Sequence, residues 1–484
     1  MAIKESLFAL IKSLSKSEKR YFRLFCTREV SGSNYLRLFD AMERQTVYDE
    51  VAIKKQFKNE KFIKQLHVTK NYLRKLIFKS LRNFHENISK DAELKNVLRN
   101  IEILYNKELF SQCESQLKVA RRLANKYELL TGLLEVENWQ RKLHQTLRPG
   151  NYNGLALVIE DQDMTLNKLR NNWHYWQLAV GVSGNMFQDQ NNTVKNSWLL
   201  KSPEKALSLE AKVLYYNTSY LKHLQNGDST KAENELRTLL QLLETSPERL
   251  KEEAGLYVSS INNLVSFYVF NRKYEQAIAL IQKAKKMYEG WKVTSENRTL
   301  LKQIIRTYNI ELEIYRTTQN FEEHTSFVSA TEKFVTVNRN KIPKDYQASF
   351  QFQLASIYFM QSDLKKSLHW INQFLNSRFK GVGAELKKQV LLLNLMVHLE
   401  QRNFMVLGYY VNSTRRYMNK VKQLLPYERI LLNFFIRIGK LPLLEHKDAF
   451  IKLRKKLYPI DTDSLIPQET SGYIDYKVWI ERQL

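Results

Sequence analysis

At 484 residues the chain is longer than the roughly 100–200 residues that one compact core serves, so it holds several domains or an array that grows by stacking. Its 14 glycines and eight prolines are too few for a fold built on sheets and tight turns, while 43% hydrophobic and 12% aromatic residues supply a globular core. The excess of 76 Lys+Arg over 50 Asp+Glu, a net charge of +26, either favours acidic partners or keeps an extended, Leu-rich chain in solution.

The chain opens with Met1 to Leu14, a short amphipathic stretch carrying Lys4, Glu5 and Lys12 and no small-residue cleavage site, so no signal peptide is expected. Residues 1–90 hold 20 basic and nine acidic residues. Between Ala52 and Arg82 stand Lys54, Lys55, Lys58, Lys61, Lys64, Lys70, Arg74, Lys75, Lys79 and Arg82 against the single acid Glu60. Within this region, segment 60–82 has the rhythm of a helix-turn-helix, which any α-hairpin shares, and a basic bundle capping the array is the competing reading. Ile63, Val68, Leu73 and Leu76 are expected at its apolar places, His67 at the turn and Thr69 as the cap of the second helix. On that second helix Leu73, Leu76, Ile77, Ser80, Phe84 and Ile88 share one face, and Lys75, Lys79 and Arg82 the opposite one.

From there the pattern is helix, short polar break, helix, with apolar residues at three- and four-residue spacings. Breaks are expected at Val30–Asn34, Arg148–Gly154, Gly181–Asn196, Asn226–Thr230, Phe379–Gly383 and Leu441–Leu443. Ser259–Ala284 reads as a helical hairpin carrying Ile261, Leu264–Val265, Tyr268, Tyr274, Ala277 and Ala284. A second copy from Ala348 carries Leu354–Ala355, Tyr358, Leu364, Ser367 and Phe374. Weaker copies cover Leu94–Ala124, Val213–Leu239, Ile305–Thr331 (with Phe321 at its turn) and Lys388–Thr414, and copy starts lie about 40 to 47 residues apart. A second basic stretch, with twelve basic and three acidic residues, runs from Tyr410 to Lys456. The tail from Pro459 to Leu484 changes character, bringing Pro467, Tyr473, Tyr476 and Trp479, and is expected to pack back as a cap.

These hairpins resemble the 34-residue tetratricopeptide repeat, and the chain looks like functionally unassigned tetratricopeptide-like proteins of bacteria. The resemblance covers roughly residues 94–414 and implies an all-α fold, a right-handed α-solenoid of helical hairpins. The expected organisation is a basic N-terminal helical bundle over 1–90, the repeat array over 91–458 and a tail or cap over 459–484. The resemblance also implies a concave groove lined by first-helix positions, here Asn262, Ser266 and Val269 in one unit and Phe352, Ser356 and Phe359 in the other. Such a groove suits a helical or extended peptide. Packing of Phe352 and Phe359 only between repeats is the competing reading.

Catalytic signatures are missing from the sequence: no Gly-rich phosphate loop, no Gly-x-Ser-x-Gly elbow, no His-Glu-x-x-His helix. His67, His85, His144, His174, His223, His324, His369, His398 and His446 are isolated, and Cys26 and Cys113 set no disulfide framework. Cys113 occupies a small-residue place and is expected as a buried hydrophobe. Apolar runs are too short to span a bilayer. The expectation is therefore a cytoplasmic, non-enzymatic interaction scaffold for a protein or peptide partner, without a cofactor or metal. The alternative is a nucleic-acid-binding regulator using Lys54, Lys55, Lys64, Lys75, Lys79 and Arg82 as the patch for an anionic partner. Attachment to an anionic membrane through the same face is a third reading.

Overall fold

A computed structural model describes residues 3–29, 34–188, 197–290, 297–319, 325–377, 383–421, 424–459 and 474–484, and among them every regular element is helical. The breaks expected at Val30–Asn34 and Phe379–Gly383 lie largely outside the described residues, as do Phe321, His324, Pro467 and Tyr473. The chain divides into two compact units, residues 1–181 with 191–215, and residues 182–190 with 216–484. That division falls at neither 90 nor 458.

The first unit starts with α1 (Ile3–Ser13), α2 (Lys16–Glu29), α3 (Asn34–Arg44), α4 (Glu50–Gln56) and α5 (Leu66–Phe84). These helices share one core, in which Leu7, Ile11, Phe22, Leu38, Phe39, Met42, Ile53, Leu73 and Ile77 are buried. Ser15 and Glu18 start α2 with a reciprocal cap: the Ser15 amide donates to Glu18 Oε2 (2.6 Å) and the Glu18 amide to Ser15 Oγ (3.2 Å). A separate core, holding Leu94, Leu98, Ile101, Leu117, Val136 and Leu143, joins α6 (Lys90–Asn106), α7 (Phe110–Lys126) and α8 (Leu130–Leu147). Cys113 is fully buried there, and burial pushes its thiol pKa up. α9 (Tyr152–Gln188) is 37 residues long and covers the first part of the break expected at Gly181–Asn196, whose remainder lies outside the described residues.

The second unit takes the end of α10 (Leu209–Gln225) and continues through α11 (Ser229–Glu244), α12 (Pro247–Glu252), α13 (Ala254–Phe270), α14 (Tyr274–Gly290) and α15 (Arg298–Thr318). Then come α16 (Thr325–Val337), α17 (Lys344–Met360), α18 (Leu364–Asn376), α19 (Ala384–Glu400), α20 (Phe404–Lys420), α21 (Pro426–Ile438), α22 (His446–Leu457) and α23 (Tyr476–Arg482). Helices adjacent in sequence pair as hairpins (α13 with α14, α17 with α18, α19 with α20), and α13, α15, α17 and α19 pack each on the next. Partly buried polar bonds recur between these successive helices. Asn217 accepts from Asn263, Asn262 donates to the Gln303 carbonyl (3.0 Å), and Gln353 donates to the Asn309 carbonyl (3.1 Å). Lys388, fully buried, pairs with Glu428 at 3.0 Å and with Glu385 at 2.8 Å. In α23, Trp479 Nε1 donates to Glu400 (2.9 Å) and the Tyr476 hydroxyl to Gln389 (2.8 Å), so the end of the chain packs on α19.

One turn design recurs. Glu108, Glu128, Gly227, Arg272, Ser362 and Arg402 each follow a helix in the left-handed region, with φ between 47° and 74°. In each case the next amide returns to the carbonyl five residues back, at 2.8–3.0 Å, closing a Schellman turn. Five of the six positions are not glycine, which costs backbone energy that glycine avoids. We predict that Ser362→Gly stabilises the second unit by about 0.5–1 kcal/mol in urea unfolding. Gly227→Ala, whose added Cβ meets no atom within 4 Å, should cost a similar amount through the backbone alone. Shifts of the opposite sign would contradict the assigned turn geometry.

Candidate nucleic-acid interface

The basic region is shaped by how α5 spends its apolar stripe. Leu66, Thr69, Lys70, Leu73, Leu76, Ile77 and Ser80 are buried, so every residue between these rows faces outward. Lys75, Lys79 and Arg82 are exposed, and so are Lys54, Lys55 and Lys64. Between them the same face shows Val68 (60% exposed), Tyr72 (45%) and Phe78 (39%). No carboxylate occurs from residue 61 to residue 85.

The carboxylates at the edge of this field are already engaged. Glu50 accepts from Lys70 Nζ (2.8 Å) and from the Tyr48 hydroxyl (3.0 Å), and pairs with Lys54 (3.0 Å). The hydrogen bonds from Lys70 and then Lys54 outweigh desolvation and hold the Glu50 carboxyl down at about 2. Glu60 pairs with Arg37 at 2.7 Å. Lys70 is therefore neutralised inside the module, whereas no ion pair among the described residues joins Lys55, Lys58, Lys61, Lys64, Arg74, Lys75 or Arg82. Arg74 lies over the Phe78 ring (5.7 Å) and Lys79 over the Phe25 ring of α2 (5.4 Å). α2 runs antiparallel beside α5, with Glu18 against His85 (2.7 Å) and Tyr21 against Phe84 (5.2 Å), and exposes Arg20, Leu24 and Arg28.

The helix-turn-helix geometry expected over 60–82 is not what forms. A 3-10 turn, Lys61–Gln65, leads directly into α5, so His67 sits in the first turn of the helix and not between two helices. Thr69 does not cap α5: it lies inside, its Oγ1 donating to the Gln65 carbonyl (3.2 Å). Val68 points to solvent, and α5 stops at Phe84, short of the exposed Ile88. What the sequence signal detected was the amphipathic period of one long helix.

Of the positions expected to line a peptide groove, Asn262, Phe352, Ser356 and Phe359 are buried between helices, while Ser266 and Val269 are half-buried. Asn262 is held from both sides, donating to Gln303 and accepting from Thr307 Oγ1 (2.9 Å), and Ser266 Oγ donates to the Asn262 carbonyl (2.8 Å) and accepts from Arg306 (3.0 Å). The structure does not bring these six together on an open surface. Phe270, beside Val269, is exposed, and a further set of exposed apolar side chains in the second unit, Met405 (93%), Tyr409, Leu443 and Leu444, stands near the contact between Phe404 and His446. The sequence reading passed over them because single apolar residues at hairpin ends carry no periodic signal.

Among the described residues no group of three His, Cys, Asp or Glu side chains stands at metal-binding spacing, and no helix is long and apolar enough to cross a membrane. A hollow of about 300 Å³ between α7, α8 and α9 is lined by Leu117, Leu143, Leu147 and Val158, with Glu114 paired to Arg148 (3.3 Å) at its polar side. No protein-family model, curated protein or solved structure matches the chain.

The Glu50–Lys70 bond sets a pH dependence for the N-terminal module. Its carboxyl is depressed on folding, so its contribution is complete above the unfolded value of about 4.3 and disappears as pH falls toward 2. We predict that Glu50→Gln speeds hydrogen exchange of α4 and α5 amides roughly tenfold at neutral pH, the equivalent of about 1.5 kcal/mol. The difference from the unaltered chain should shrink between about pH 4.3 and 2. A difference that stays constant across that range would remove Glu50 from the account.

Proposed function

We propose that the chain is a non-enzymatic, cytoplasmic binding protein in which tetratricopeptide-like hairpins, stacked as a right-handed α-solenoid, accompany an N-terminal module that holds nucleic acid by its phosphates. The observation that carries this reading is the outer face of α5, where cations alternate with Tyr72 and Phe78 and no carboxylate interrupts residues 61–85. Phosphates reward fixed cations through counterion release, and exposed aromatic rings add sequence-tolerant stacking. Lys75, Lys79 and Arg82 fall within about 10 Å along one helix side, which suits backbone contact more than base reading. The left-handed residues that end helices at Gly227, Arg272, Gln319, Ser362 and Arg402 support the repeat assignment, since they keep the spacing of a 40- to 47-residue helical repeat.

Titration of the full chain with a fluorescent oligonucleotide, as duplex and as single strand, against salt tests the reading. Affinity should weaken steeply with salt, and the triple variant K75E/K79E/R82E should lower the log–log slope by roughly 3 and abolish binding at moderate salt. All three side chains are exposed, so the variant keeps its core. No binding at low salt, or a slope unchanged in the variant, would refute it.

A protein partner on the repeat surface is the second reading, and the exposed set Met405, Tyr409, Leu443 and Leu444 is the specific observation in its favour.

A further inference from the structure

α9 carries an apolar line that its own unit leaves uncovered. Tyr152, Ile159, Leu166, Trp173 and Val180 follow one another at intervals of seven residues. All five are exposed, by 77%, 50%, 44%, 59% and 67%. Seven residues are two helical turns less about 20°, so the five side chains form one slowly drifting stripe about 42 Å long. The stripe lies away from the packed side of the helix. There Thr165 donates to Glu137 (2.9 Å), Asn172 to Glu210 (2.8 Å) and the Tyr175 hydroxyl to the Leu199 carbonyl (3.1 Å). A second row, Leu155, Gln162, Leu169 and Trp176, three residues on from members of the first, is apolar except at Gln162 and is half-buried or exposed beside it. Two such rows are the a and d positions of a coiled-coil seam, and a seam of this kind is covered by another helix.

We infer that the covering helix is α9 of a second copy, running antiparallel. The charges on the stripe decide the partner and its direction. Asp163 and Arg170 are both exposed, both at the e position, and seven residues apart. Asp163 accepts only from Asn167 Nδ2 within its own helix (3.0 Å), and no ion pair joins Arg170 among the described residues. In an antiparallel pair e faces e, and a two-fold axis close to Asn167 sets Asp163 of each helix beside Arg170 of the other. The same register places Leu166 across from Leu169, Ile159 across from Trp176, and Val180 across from Leu155. A parallel pair instead brings e opposite g, where Thr165 and Asn172 are buried within the unit, so it gains neither ion pair. The surface is thus complementary to itself in one orientation, as an isologous interface requires.

Sedimentation equilibrium of the full chain tests the inference. The 57.5 kDa chain should sediment at twice that mass at micromolar concentration. Ile159→Glu with Trp173→Glu should weaken the dimer at least a hundredfold, and both positions are exposed, so circular dichroism and urea unfolding should stay unchanged. Asp163→Arg alone should weaken it about tenfold, and D163R combined with R170D should restore it. A chain that is monomeric throughout would overturn the inference, as would a dimer indifferent to the glutamates. A double charge swap that fails to restore association would overturn the antiparallel register. None of these three results touches the nucleic-acid titration, whose variants lie on α5.

Discussion

A helix has one stripe to bury, and in this protein what each helix offers outward follows from the neighbour that takes that stripe. In α5 the row Leu66, Leu73, Leu76, Ile77 faces the module core, and this alone turns Arg74, Lys75, Lys79 and Arg82 to solvent. In α9 the packed row Thr165, Asn172, Tyr175, Leu178 leaves the line from Tyr152 to Val180 outside. In α19 residues 388–399 are all buried, because neighbours pack on every side of that helix. At Lys388 the polar cost of such depth is met by pairing: it keeps its charge between Glu385 and Glu428, whose bonds outweigh the burial that would strip its proton, whereas the buried polar atoms of Asn394 and His398 find no hydrogen-bond partner among the described residues.

Charge is arranged by the same logic. Lys70 lies on the buried side of α5 and receives the lowered Glu50 carboxylate and the Tyr48 hydroxyl, while no ion pair among the described residues joins Arg74, Lys75 or Arg82 on the outward side. A carboxylate placed within 61–85 would cancel part of the field. Its absence is what separates this face from an ordinary solvated helix, where opposite charges alternate at four-residue spacing.

Helix content, the hairpin period and the inward set Leu73, Leu76 and Ile77 were legible because they depend on local periodicity. So was the outward set Lys75, Lys79 and Arg82. The connection before α5 was not legible: His67 and Thr69 look like a turn and a cap, but Thr69 can equally bond back to the Gln65 carbonyl inside a helix, and tertiary packing selected that outcome. The groove positions failed for a related reason. Asn262 and Phe352 fit both a ligand-facing and a helix-facing place, and only the position of α15 and its neighbours distinguishes them. Left-handed turn residues such as Arg272, Ser362 and Arg402 were silent because the sequence puts no glycine there. The seven-residue line of α9 was present in the sequence all along, yet its meaning depends on knowing that its opposite side is already packed.

The central claim is that the outward face of α5, and not another basic surface such as the stretch from Tyr410 to Lys456, receives the nucleic acid. Photocrosslinking the full chain to an oligonucleotide at low salt, followed by mass spectrometric mapping of the attached peptides, addresses it most directly. The account predicts adducts concentrated on residues 66–84, with Tyr72 and Phe78 as the modified rings. Adducts spread over residues 410–456 and absent from α5 would contradict it.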